Sequence, residues 1–302
     1  MQTHRSQLAR IVDARPVAAF AAFAIGLSWT AWVGTYSVVA PRSGLGLVGG
    51  ALGAFGPAAA GAIVTRLRGE SVRSWLTATL DWRRKLRWYG LALAVPAVAT
   101  VGVAAVVFAL ADVPDAASIA RLAPLFGVNL ILATLFTGGN EELGWRGFAL
   151  PRLQRRYSAL TAALVVGAIW AVWHAPMFAF GVYRLSPVLY AASVCCFSVV
   201  LTWYYNASDG CVPGAMLLHG TLNAAVNIPG QAVGGVDALP IPYAAVLTGV
   251  FAVVAGLIVA RYGAETLARG GAVARGGSAV ASADRAASEP DRSVSVGTDS
   301  PE

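Results

Sequence analysis

Eight apolar runs, separated by short basic or polar stretches, constrain this chain more than any other feature. They lie near Val17–Val39, Leu45–Val64, Trp88–Leu110, Leu125–Leu150, Leu160–Phe180, Pro187–Tyr205, Val212–Ile228 and Pro242–Ala260. An α-helix needs about 20 apolar residues to cross a bilayer core about 30 Å thick. Composition points the same way. Of 302 residues, 57% are hydrophobic and 12% charged, whereas soluble domains carry about 25% charged residues. Too little polar surface remains to shell a soluble fold. The expected fold is all-α, a polytopic membrane protein of about eight transmembrane helices. The first run is longer than the apolar core of about 7–15 residues in a cleaved signal peptide, and reads as an uncleaved first helix.

Charge distribution supports an even number of spans. With eight, one side receives Arg5, Arg10 and Arg15, the group Arg66, Arg68, Arg73, Arg83, Arg84, Lys85 and Arg87, then Arg152, Arg155, Arg156 and the tail arginines. The other side receives Arg42, Arg121 and Arg184. The excess predicts both termini in the cytoplasm of a multi-pass cell-membrane protein. The net charge of +7 is accounted for by these flanks, and no nucleic-acid-binding motif accompanies it. The segment Ser71–Trp88, with Trp75, Trp82 and Trp88 among basic residues, predicts an interfacial helix or a basic loop with a tryptophan anchor. Residues 1–263 form one expected membrane domain. Residues 264–302 lack apolar periodicity and predict a disordered cytoplasmic tail. Cys195, Cys196 and Cys211 have no C-x-x-C spacing and read as small packing residues.

Ionisable groups inside a membrane are costly and mark function by default. Of fifteen acidic residues, only Glu141 and Glu142 fall inside an expected span. His174 and His219 are the membrane histidines, and Arg146 is the one basic residue well inside a span. Glu142 and Arg146, at i and i+4 with the acid first, predict an ion pair. Glu141 points about 100° away and lacks that cation, so it is the carboxylate free to act as a base. Glu141 precedes Tyr157 by sixteen residues and His174 follows it by seventeen. In an antiparallel hairpin the two reach the same depth, roughly 24 Å from the turn. His219 and Asn223 share one face of the seventh helix. Asn129 and Asn227 read as ties between helices.

These parts suit peptide hydrolysis. Glu141 can take a proton from water; His174 can orient that water or bind a metal. His219 and Asn223 can donate hydrogen bonds to an oxyanion. Other readings of the same residues are a non-enzymatic immunity or scaffold protein, and a transporter using Glu141, His174 and His219 as a proton or metal path.

At these positions the sequence resembles the CPBP family, which comprises type II CAAX prenyl endopeptidases and bacteriocin-processing or Abi-type membrane proteases. The family's E-E-x-x-x-R stands here as Glu141-Glu142-Leu143-Gly144-Trp145-Arg146, followed by Gly147-Phe148 and Leu150-Pro151-Arg152-Leu153-Gln154. F-x-x-x-H appears as Trp170 to His174, with Trp170 in the phenylalanine position, and H-x-x-x-N as His219 to Asn223. The resemblance spans about Thr134–Pro229, within an expected motif core of about 123–230. It implies an all-helical membrane protease acting on a membrane-embedded or membrane-tethered protein or peptide, with Glu141, His174, His219 and Asn223 catalytic, Glu142 and Arg146 structural, and Trp170 lining the pocket. A zinc ion held by Glu141, His174 and His219 and a glutamate-driven mechanism without metal are both compatible with it. The soluble signature H-E-x-x-H is absent.

Overall fold

The computed structural model describes residues 7–111, 121, 124–232 and 241–269. All regular structure among them is helical. In chain order the helices are α1 (Gln7–Ala14), α2 (Pro16–Tyr36), α3 (Gly44–Ala54), α4 (Gly56–Leu67), α5 (Val72–Thr79), α6 (Leu86–Ala111) and α7 (Leu125–Leu135). A 3₁₀ turn (Gly139–Glu141), α8 (Glu142–Gly144), a π turn (Trp145–Ala149) and α9 (Leu150–Leu153) follow. Then come α10 (Ala159–Trp173), α11 (Ala175–Ala179), α12 (Pro187–Ala207), α13 (Val212–Ala232) and α14 (Ile241–Tyr262).

Starts are encoded locally. Ser43, Ser71, Ser158 and Ser186 each accept a backbone N–H three residues on, capping α3, α5, α10 and α12. Pro16, Pro57 and Pro187 sit in first turns, where the missing N–H costs nothing. Six helical runs among the described residues are long and apolar enough to cross a membrane: Pro16–Tyr36, Gly44–Leu67, Leu86–Val106, Ala159–Ala179, Pro187–Ala207 and Tyr243–Tyr262. Their outward faces are apolar too, with Leu45, Val98 and Val253 largely exposed, as lipid contact requires. This is an all-α polytopic membrane protein.

The two remaining expected spans carry two of the three motifs. The seventh is the 21-residue α13, continuous but diluted by His219 and Asn223. The fourth is not one helix: α7 ends after 11 residues, and the chain resumes through the 3₁₀ turn, α8, the π turn and α9. Gly138 and Gly139 stand at the break, where helix propensity is lowest. α13 packs against α6, α7, α12 and the 3₁₀ turn, so it holds the broken span from behind. On the other flank α2 lies along α3 and α4; a Cβ at Gly56 would fall 1.9 Å from Ser28 Oγ, and Ser28 Oγ donates to the Gly53 carbonyl at 2.7 Å. Phe20 fastens α2 to the π turn, edge-on to Trp145 at 5.4 Å and stacked on Phe148 at 5.2 Å.

Three expectations change. Ser71–Trp88 is not a single interfacial helix. Val72–Thr79 is one short helix and Leu86 already starts α6; Trp75 turns inward to donate to the Gly147 carbonyl at 3.0 Å, while Trp82 stays exposed. The expected tie through Asn129 is not made by its amide nitrogen, which is buried with no hydrogen-bond partner. The packed domain also runs past residue 263. The backbone of Ala264 and Glu265 accepts from Leu160 and Ala159, capping α10. The Thr266 carbonyl accepts from Asn206 Nδ2 at 2.8 Å, and Leu267 is fully buried. The rest of the expected tail, from 270, lies outside the described residues. Truncation after Gly263 is therefore expected to lower stability by about 1.5–3 kcal/mol for Leu267 alone. Truncation after Arg269 should leave it unchanged. Melting of the two proteins in detergent checks the contrast.

On the same side, Glu70 bridges Arg68 at 2.6 Å and Arg152 at 3.3 Å. Arg152 stacks its guanidinium 3.7 Å from the Phe148 ring centroid. Burial pushes Arg152 down to about 10, with Glu70 acting against that.

Candidate active site

The break in the fourth span builds the site. Gly138 N donates to Asn140 Oδ1 at 3.1 Å, and Asn140 Nδ2 donates to the Ala54 carbonyl at 3.0 Å. Asn223 Nδ2 reaches over from α13 to the Thr137 carbonyl at 3.2 Å. Side-chain amides thus satisfy backbone groups that a continuous helix would have paired internally, the condition for irregular backbone at membrane depth.

The expected Glu142–Arg146 pair forms, with Oε2 and NH1 2.9 Å apart and both side chains fully buried. Glu142 has a second partner that spacing did not suggest: its Oε1 accepts from His219 Nδ1 at 2.9 Å. Arg146 also donates to Ser198 Oγ at 2.9 Å and lies 5.3 Å from the Trp170 ring centroid. One carboxylate therefore joins the fourth span to the arginine beside it and to the histidine of α13. The bond at Nδ1 leaves Nε2 as the free nitrogen of His219. That atom accepts hydrogen bonds when the ring is neutral and donates only as imidazolium.

Glu141 lacks a cation but not a partner. Trp170 Nε1 donates to its Oε2 at 2.8 Å. The indole engages Oε2; Oε1 makes no hydrogen bond among the described residues, and the Trp145 indole also lies close enough to act on the carboxyl. His174, one turn beyond Trp170, ends α10 and places Nδ1 3.0 Å from the Trp170 carbonyl. A carbonyl only accepts, so Nδ1 carries the proton and Nε2 presents a lone pair. Glu141 and His174 line one recess of about 130 Å³ with Trp32, Thr137, Trp173 and Tyr183. Such a space holds several waters. The equal depth expected from the hairpin arithmetic is thus met. His219 and Asn223 approach from the other side of the break: a Cβ on Gly138 would lie 2.3 Å from Asn223 Nδ2 and 3.3 Å from His219 Nε2.

The carriers of this geometry match known proteins. Residues 123–225 match the profile described as type II CAAX prenyl endopeptidase Rce1-like. This segment is thus similar to the CPBP-type membrane proteases. A curated relative, the CAAX prenyl protease 2 of Methanococcus maripaludis, is 29% identical over 103 residues, which are 31% of this chain and 36% of the relative. The match thus spans about a third of that relative's length. Within the matched segment Trp170 supplies an aromatic ring and an N–H donor.

Sequence reasoning passed over Gly138, Gly139, Thr137 and Tyr183. The Gly-Gly pair inside an apolar run was the available signal, since such pairs interrupt helices. Gly138→Ala is expected to push the Asn223 amide out of place without exposing any buried apolar group. Turnover should fall at least about tenfold, while the melting temperature moves little. An assay beside a thermal melt checks this, and an unchanged rate would show that Asn223 can move without consequence.

Proposed function

We propose that the chain is an intramembrane endopeptidase. It hydrolyses a peptide bond in a membrane-embedded or membrane-tethered protein or peptide, with both termini of the enzyme on the cytoplasmic side. What supports this reading most directly is the shared recess, where a carboxylate oxygen of Glu141 without a hydrogen-bond partner and the lone pair of His174 Nε2 meet a space roomy enough for several waters beside a helix break.

In this reading the water donates one hydrogen bond to His174 Nε2 and gives its other proton to Glu141. The hydroxide adds to the scissile carbonyl carbon. The resulting oxyanion accepts from the second N–H of Asn223, the first being held by Thr137. His219 Nε2 joins as a donor when that ring is protonated. Glu141 then passes its proton to the amide nitrogen, the C–N bond breaks, and a carboxyl and an amine leave. Glu142 and Arg146 stay out of the chemistry and hold His219 in register.

The donor types of Glu141, His174 and His219 suit zinc. Yet no three histidine, cysteine or acidic side chains among the described residues are grouped so as to hold a metal ion. Trp170 and the Trp170 carbonyl occupy one atom each of Glu141 and His174. The residues as arranged do not form a metal set, and no step here runs through one. Active protein should keep its rate after treatment with a strong chelator. A loss reversed by zinc would recast Glu141 as a ligand. The cleavage itself is tested by comparing membrane-peptide termini from cells carrying wild-type or Glu141→Gln protein. New termini specific to the wild type are expected, and identical sets would remove the peptidase reading.

A further inference from the structure

A second polar recess, of about 230 Å³, lies outside the motif region. Its floor comes from two loops far apart in sequence: Arg83, Arg84, Lys85 and Arg87 before and at the start of α6, and Ser208 and Asp209 between α12 and α13. Trp88 forms one wall. We propose that this recess binds the phosphate group of an anionic membrane lipid.

The recess is braced, unlike a chance gathering of flanking arginines. Arg84 donates from NH1 to Asp81 Oδ2 at 2.8 Å and from NH2 to the Asp209 carbonyl at 3.2 Å. Asp209 holds φ at 55°, and Gly210 follows at 82°, so the second loop turns sharply to meet it. Tyr204 Oη donates to the Trp88 carbonyl at 2.9 Å, tying the wall to α12. Arg84 Nε is buried with no hydrogen-bond partner. Arg83, Lys85 and Arg87 remain exposed, with no carboxylate paired to them among the described residues. Four cations against Asp81 and Asp209 leave the recess at about +2, an excess that one phosphate ester offsets.

Position selects the source of the phosphate. Trp82 and Leu86 are strongly exposed beside the recess, and apolar side chains next to arginines at the end of a long apolar helix belong at the lipid headgroup level. Anionic lipids of the cytoplasmic leaflet supply negative charge there. Arginine forks match phosphate oxygens, and the recess opens over the first turn of the 26-residue α6, whose dipole adds to the attraction.

The test is thermal stability of the purified full chain in neutral detergent, with phosphatidylglycerol, phosphatidylcholine or inorganic phosphate added. Phosphatidylglycerol is expected to raise the melting temperature by several degrees, and the other two to leave it unchanged. The variant Arg83→Gln/Lys85→Gln/Arg87→Gln, which spares the bracing Arg84, should lose most of that rise. A charge-matched control, Arg73→Gln/Arg155→Gln/Arg156→Gln, should keep it. If the first triple variant does not fold, Arg83→Gln and Lys85→Gln singly, both at exposed positions, should each reduce the rise. An equal loss in the control would mean that general surface charge is responsible. A full response to inorganic phosphate would mean that no lipid is needed. Either result overturns the proposal, and neither depends on whether the chain is a peptidase.

Discussion

Glu141→Gln should lower turnover at least about 10²-fold, the lower end of what a positioned general base contributes, while the protein remains folded. The geometry makes this substitution clean. A glutamine oxygen can still accept from Trp170 Nε1, which now meets Glu141 Oε2 at 2.8 Å, so shape and orientation survive. What is lost is a basic oxygen facing the recess. Cleavage of a verified substrate and a detergent melt, run on the same preparation, separate the two effects. A wild-type rate would remove Glu141 from the chemistry. A low rate with a collapsed melt would mean that the carboxyl is structural.

The second large effect is one of stability. Arg146→Ala removes the guanidinium that contacts Glu142 at 2.9 Å and Ser198 Oγ at 2.9 Å, all within the protein interior. The carboxylate is left with His219 alone, and breaking a buried pair from one side typically costs about 3–5 kcal/mol. Membrane levels and melting temperature should both drop. Replacing both partners, Glu142→Gln with Arg146→Met, should recover part of the loss. Glutamine still accepts from His219 Nδ1, and methionine fills the arginine stem's space without a charge. If Arg146→Ala melts like wild type, the pair does not hold the fold.

That pair was legible in the sequence because i and i+4 place two side chains on one face of any helix, whatever surrounds it. The common depth of Glu141 and His174 was legible for a similar reason, since rise per residue is fixed and the hairpin turn is short. The break after Leu135 was not. Apolarity along Leu125–Leu150 is continuous whether the chain is wound or unwound, and only Gly138 and Gly139 hint at the difference. Partners across helices were hidden as well. Nothing in spacing says that His219 faces Glu142 and not Glu141, or that the indole of Trp170 points its N–H at a carboxylate. Those choices depend on how α10 and α13 are rotated about their axes, which packing sets. The chain beyond Gly263 looked tail-like by composition, yet Leu267 is buried and the backbone of residues 264–266 accepts hydrogen bonds from the packed helices.

The short α7 also sets a reach. Its 11 residues account for about 16 Å of rise, roughly half of a hydrocarbon core about 30 Å thick. With α7 starting at one membrane surface, as the proposed topology has it, the carboxylate that follows would sit near the middle of the bilayer, with about 14 Å of hydrocarbon left to the other surface. An extended chain covers that distance in about four residues at roughly 3.4 Å each. Under the proposed peptidase function, a protein cleaved here would have to bring at least that length of unwound chain below the headgroups, with its own backbone hydrogen bonds surrendered on the way. A segment that stays helical on entering would bring its amides already paired and its carbonyls turned along the axis, out of reach of an attacking water. Ease of unwinding next to the membrane surface would then decide which proteins are cut, ahead of any preference for particular side chains.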